Sequence, residues 1–174
     1  SRRGTAQEKE ADSYVAIDLE TTGLDPKHDK IIEIGAVLVI DGEIKETFST
    51  FVNPRRELDG RIRELTGITG VMTAGAPDIG DVIGRVVEFC RDLPLLGHHI
   101  IFDYSFLKRA AVNKGLVFEK SGIDTLTLCR RFMPEEEKKN LENASRYYGI
   151  KQTDAHRALA DALTAHLLYR NVKR

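Results

Sequence analysis

Residues 18–24 read Asp18-Leu19-Glu20-Thr21-Thr22-Gly23-Leu24, directly after the apolar run Tyr14-Val15-Ala16-Ile17. The run predicts a buried strand, and residues i and i+2 of a strand face the same side. Asp18 and Glu20 therefore leave one face of that strand together. Two like charges in a low dielectric resist ionisation, and a divalent cation is the best reason to keep such a pair. Thr21-Thr22-Gly23 is a turn signal, which lets backbone N–H groups approach a ligand beside the carboxylates. An Asp-x-Glu pair standing alone is more often solvated surface, so the rest of the chain decides its meaning.

Outward from this strand, residues 30–39 form a second apolar run, and Asp41-Gly42 is a strong hairpin signal. Residues 43–52 then return as a third, antiparallel strand. Gly35-Ala36 inside the second strand predicts close approach of something packed across it. Past Asn53-Pro54 the pattern changes. It predicts a short helix near 60–65, an amphipathic helix over 79–91 and a short buried strand over 94–99. A helix over 103–114 stopped by Gly115 follows, then a strand running into a helix over 123–131. Asn140 caps a short helix ending at Gly149, and 158–171 is the final helix. Strands first, then strand–helix alternation, predict an α/β fold whose mixed sheet has helices against it. A site then belongs at the ends of adjacent strands. Residues 1–12 are expected to be a flexible tail and 13–174 one domain.

The chain has 174 residues, 26 basic and 27 acidic, for a net charge of −1. A protein gripping nucleic acid through phosphates alone would be strongly basic. This one either does not bind nucleic acid, or holds a short stretch while metal ions carry much of the positive charge. No apolar run approaches the ~20 residues a membrane span needs. The polar start, Ser1 to Glu10, shows no secretory signal. Cys90 and Cys129 lack ligand spacing and read as buried thiols of a cytoplasmic protein.

Two further acidic residues matter. Asp103 lies where a strand gives way to a helix, beside Phe102. Asp161 lies on the last helix, in His156-Arg157-Ala158-Leu159-Ala160-Asp161. Only i+3 and i+4 residues are helical neighbours, so His156 is expected on the loop entering the helix and Asp161 inside it. Four carboxylates and one histidine suit hydrolysis of a phosphodiester with two divalent cations, and hard oxygen ligands favour Mg²⁺ or Mn²⁺. His156, neutral near pH 7, can take a proton from the attacking water.

Asp18-Leu19-Glu20-Thr21-Thr22-Gly23-Leu24, then Gly97-His98-His99-Ile100-Ile101-Phe102-Asp103, then His156 to Asp161 resemble the three motifs of the DEDDh exonucleases. This is the DnaQ-like group, with proofreading exonucleases of the polymerase III epsilon and PolC types and ribonuclease T. The similarity runs from about Tyr14 to the C-terminus. It implies an RNase H-like fold, with a mixed five-stranded sheet of three antiparallel strands followed by parallel ones. It also implies 3′→5′ release of nucleoside 5′-monophosphates. Asp18, Glu20, Asp103 and Asp161 match the metal-binding carboxylates, and His156 the general base. Thr21, Thr22, Gly23 and Leu24 match positions that wrap the terminal nucleotide, Leu24 as a wedge against its base. Thr66 falls where relatives place a group near the terminal sugar and base. His98 and Phe102 are further candidate substrate contacts, against the plainer readings of a strand-end histidine and a core aromatic. Relatives usually read His-Asn where this chain has His98-His99.

The expected substrate is a single-stranded DNA 3′ end, with a DNA polymerase subunit as a possible partner and no membrane. An exoribonuclease of the ribonuclease T kind shares the chemistry, since RNA and DNA differ at the 2′-OH. A non-catalytic binding domain is a different class, and the intact set of four carboxylates and His156 counts against it.

Overall fold

The computed structural model describes residues 5–6 and 11–172. Its strands are β1 (Thr5–Ala6), β2 (Tyr14–Thr21), β3 (Ile31–Ile40), β4 (Glu43–Phe51), β5 (Leu95–Gly97) and β6 (Ser121–Asp124). Its helices are α1 (Gly60–Thr66), α2 (Gly70–Ala74), α3 (Ile79–Cys90), α4 (Ile100–Asn113), α5 (Thr125–Phe132), α6 (Leu141–Tyr147) and α7 (Ala158–Asn171). The sheet order is β1-β6-β5-β2-β3-β4. β2, β3 and β4 are antiparallel, and β5 and β6 join in parallel. These are the five strands the sequence predicts. A sixth, Thr5–Ala6, pairs with Ser121 and Gly122 at the edge. It falls within the stretch expected to be a tail; residues 1–4 and 7–10 of that stretch lie outside the described residues.

Alternation along β2 sorts its side chains. Val15, Ile17 and Leu19 enter a core under α3 and α4, while Tyr14 and Ala16 pack against α7. Asp18 and Glu20 continue the α7 face beyond the apolar part. β5 is short, pairing only Leu95 and Leu96 with Val15 and Ala16. β2 therefore runs on past its neighbour, and the chain turns from Gly97 into α4 beside it. Gly97 permits this turn, because a Cβ there would stand 2.9 Å from Ile100 Cδ1 and 3.1 Å from the Ile17 carbonyl oxygen.

The hairpin is as the sequence predicts, with Asp41 and Gly42 both at positive φ, 52° and 81°. Asn140 caps α6 by accepting from Asn143 N at 2.9 Å. α4 begins at Ile100, earlier than its apolar pattern suggests, so Asp103 sits in its first turn. The strand of 123–131 is confined to Ser121–Asp124, and Asp124 caps the helix that follows. α2 is not foreseen, although Thr69, its N-cap, carried the signal.

Candidate active site

Three elements converge where β2 outruns β5. β2 brings Asp18 and Glu20, α4 brings Asp103, and α7 brings Asp161. Carboxylate oxygens of Asp18, Glu20 and Asp161 all lie within 4.8 Å of one another. Asp103 is 3% exposed. Its carboxylate accepts the N–H of Leu19, between the other two β2 ligands.

α7 can come this close because Gly35 lies beneath its first turn and Ala158, Ala162 and Ala165 face the sheet. His156 sits on the loop before α7, as expected, with φ of 67° and an exposed ring. Its backbone N–H donates to Asp161 Oδ2 at 3.2 Å. Gln152 Nε2 donates to Asp161 Oδ1 at 3.3 Å. Arg157, between His156 and α7, pairs with Glu33 of β3. Nothing in the local pattern singled out Gln152. Glu33 had one signal, a lone carboxylate inside the apolar run 31–39, and it went unread.

The electrostatics are those of crowded acids. Burial, then the charges of Asp103, Glu20 and Asp161, push Asp18 well above the usual carboxylate range. Burial, then Asp161 and Glu33, push Glu20 up to about 8. Burial also raises Asp103 and Asp161, each partly offset by its hydrogen bonds. Among the described residues, Asp18 Oδ2 is the buried side-chain oxygen with no hydrogen-bond partner. A buried acceptor without a donor is costly. A hard divalent cation satisfies it and the repulsion together, so these residues fit one. Asp18, Glu20, Asp161 and Asp103 would hold it.

Beside this cluster opens a cleft of about 900 Å³ lined by Thr21, Thr22, Gly23, Leu24, Thr66 and Phe102, among others. Leu24 stands 84% exposed at its rim. The turn behind it is fixed by Asp29, which accepts from Thr22 Oγ1 at 3.1 Å and from Asp25 N at 3.0 Å. A Cβ on Gly23 would stand 2.4 Å from that carboxylate. The hydroxyls lining the cleft are already engaged. Thr21 donates to Gly23 O at 2.7 Å, and Thr66 donates to Ile62 O at 2.7 Å while accepting from Ile68 N at 3.0 Å. Toward a ligand these hydroxyls can therefore only accept, and Glu20, Asp59, Arg61 and Glu64 line the same cleft.

His98 is not brought to the cleft. Its ring nitrogens pair with Thr125 Oγ1 at 2.8 Å and Lys139 O at 2.6 Å, tying β5 to the segment before α6. Burial lowers its pKa. Phe102 lines the cleft but also packs on Phe106, ring centroids 4.9 Å apart, so it serves core and cleft together. His99 adopts a left-handed φ of 73°, and its N–H donates to Asp124 Oδ1 at 2.8 Å.

Such an acidic centre, where β2 outruns its neighbour in a mixed sheet, could hold a metal ion. The chain belongs to the exonuclease family, whose sequence model (RNase_T) matches residues 15–169. It is 43% identical over 168 residues to the PolC-type DNA polymerase III of Bacillus subtilis, covering 94% of this chain and 12% of that protein. It is 37% identical over 157 residues to the DNA polymerase III subunit epsilon of Aquifex aeolicus, covering 89% of this chain and 78% of that one. The chain thus spans only about a ninth of the PolC-type relatives (11% for that of Clostridium perfringens). Among solved structures, E. coli exonuclease I in complex with a dT13 oligonucleotide superposes with a TM-score of 0.80 at 18% identity. That match covers 94% of this chain and 41% of exonuclease I, and it shows a shared fold.

Proposed function

We propose that this chain is a 3′→5′ exonuclease domain that removes nucleoside 5′-monophosphates from single-stranded DNA 3′ ends, as the proofreading activity of a replicative polymerase in the cytoplasm. The observation that carries this is the convergence of Asp18, Glu20, Asp103 and Asp161 with the His156 loop at the edge of a nucleotide-sized cleft. The polymerase III relatives support the DNA and polymerase parts of the reading.

Asp18, Glu20, Asp103 and Asp161 would hold two divalent cations, Mg²⁺ or Mn²⁺, which would supply positive charge to the phosphodiester being cut. The terminal nucleoside sits in the cleft against Leu24, Thr66 and Phe102. His156, exposed on its loop, accepts the proton of the attacking water through its ring, while its backbone N–H stays on Asp161.

The test is incubation with 5′-labelled single-stranded DNA and the matching RNA, with Mn²⁺ or Mg²⁺ and with EDTA. A ladder shrinking from the 3′ end, absent with EDTA, is the expected result. Faster loss of RNA would overturn the DNA assignment. No degradation of either by folded, cation-bound protein would leave a binding domain.

A further inference from the structure

We infer that the Glu33–Arg157 pair, its carboxylate buried and its guanidinium half exposed, positions the His156 loop and the start of α7 against the carboxylate cluster. The inference rests on the exonuclease reading above.

Glu33 is 3% exposed, on the α7 face of β3. Its Oε2 accepts from Arg157 Nη2 at 2.8 Å and from Nε at 3.2 Å. Its Oε1 accepts from Arg157 Nε at 3.2 Å and from the backbone N–H of Ala158 at 2.8 Å. One carboxylate on the sheet thus holds the side chain of one residue and the backbone of the next. Arg157 is the N-cap of α7 and makes no side-chain cap of its own, so Glu33 supplies the missing acceptor from another element. The guanidinium also lies 5.1 Å from the centre of the Phe51 ring, and Phe51 stands opposite Glu33 in the sheet.

The segment being held is strained. Asp154 and His156 have φ of 48° and 67°. Left-handed non-glycine residues persist where their surroundings over-determine them. Here Asp161 takes the N–H of His156 and Glu33 takes Arg157 and Ala158, so the loop is gripped on both sides of the proposed base. An ion pair whose guanidinium is half exposed is a weak source of stability, so placement is the better account of this one.

The pair also faces the cluster. Glu33 stands opposite Glu20 across the β2–β3 register. Arg157 is bonded to that same carboxylate, so a negative and a positive charge stand together beside Glu20. Removing either charge alone therefore leaves the opposite charge acting on the cation ligands.

The experiment compares Glu33→Gln, Arg157→Met and Arg157→Lys with the wild type. It measures kcat and KM on labelled single-stranded DNA, Mn²⁺ affinity by calorimetry, and folding by circular dichroism. In Glu33→Gln and Arg157→Met, kcat should fall roughly 10²-fold, the scale of a misplaced catalytic group, with KM little changed. Mn²⁺ should bind more weakly to Glu33→Gln and more tightly to Arg157→Met. Arg157→Lys should fall between, keeping the charge and losing the fork; it carries the test if Arg157→Met does not fold. Unchanged kcat in folded variants, or Mn²⁺ affinities moving the same way in both, would overturn the inference. A wild type that binds Mn²⁺ and cuts nothing would sink the exonuclease reading instead, and the opposed shifts in affinity would still report on the pair.

Discussion

Gly35 and Leu159 meet backbone to backbone, and a Cβ on residue 35 would stand 2.2 Å from the Leu159 nitrogen. Gly35 is also the β3 partner of Asp18. The absence of a side chain there sets how near α7, and with it Asp161, comes to Asp18. Gly35→Ala must push the helix away. Overpacking of this kind costs about 1–3 kcal/mol or more, because backbone cannot yield as a side chain does. Thermal melting should show that loss, and Mn²⁺ affinity should fall in whatever protein remains folded. A variant with wild-type melting and wild-type Mn²⁺ affinity would mean the contact relaxes freely.

Asp18→Asn should abolish exonuclease activity while stabilising the cation-free protein. It removes a charge from a crowded acidic cluster, and the cluster's repulsion is a cost of the folded state. Cation-free melting should rise, and the rise in melting that Mn²⁺ brings to the wild type should shrink. Cleavage at the wild-type rate would show that Asp18 holds no essential cation.

Stability of the cation-free protein should fall as pH rises toward about 8 and level off above it. Glu20 is held near 8 by burial, Asp161 and Glu33. An unfolded glutamate titrates near about 4.3. The stability contributed by its retained proton is full below the unfolded value and is lost as pH passes through the folded one. Buried His166, whose pKa burial and then Arg170 lower, acts the other way but only below about 6.5. Urea unfolding in EDTA between about pH 6.5 and pH 8 should show the decline, and Glu20→Gln should flatten it. Equal slopes in the two proteins would remove Glu20 as the cause.

His156→Ala should lower kcat by roughly 10²- to 10⁴-fold if its ring is the base. Mn²⁺ affinity should change little, because the bond to Asp161 comes from the backbone and survives the substitution. A drop of only a few-fold would demote the ring to an orienting role.

His99→Asn should stabilise the protein. Residue 99 sits at φ 73° and ψ 54°, a conformation that costs most side chains about 1–2 kcal/mol and that asparagine tolerates better. Unfolding in urea should show a gain of a few tenths to about 1 kcal/mol; a loss would mean that the His99 contact with Phe102, ring centroids 6.2 Å apart, outweighs the backbone strain.

Much of the site was legible in the chain because its signals are local. A two-residue period put Asp18 and Glu20 on one face, and helical geometry forced His156 off α7. Gly35-Ala36 announced a close approach, which α7 supplies. Thr66 lines the cleft, but its hydroxyl proton goes to Ile62 O inside the protein. His98 lay in a motif that resembles the family's, yet its ring turns toward Thr125 and Lys139. Orientation of a side chain depends on which distant groups offer it partners, and spacing along the chain carries no record of them.

The sequence by itself determined the strands, their faces, the turn at Asp41-Gly42 and the residue types available for chemistry. Each of those depends on neighbours within a few positions, where backbone geometry and side-chain period act directly. Only the tertiary structure decided that Glu33 would seize Arg157, 124 residues away along the chain, that Asp161 would meet Asp18 and Glu20 within 4.8 Å, and that one oxygen of Asp18 would be left without a donor. Those contacts exist only once α7 has packed on the sheet, and burial then turns ordinary acids into a centre that calls for a cation.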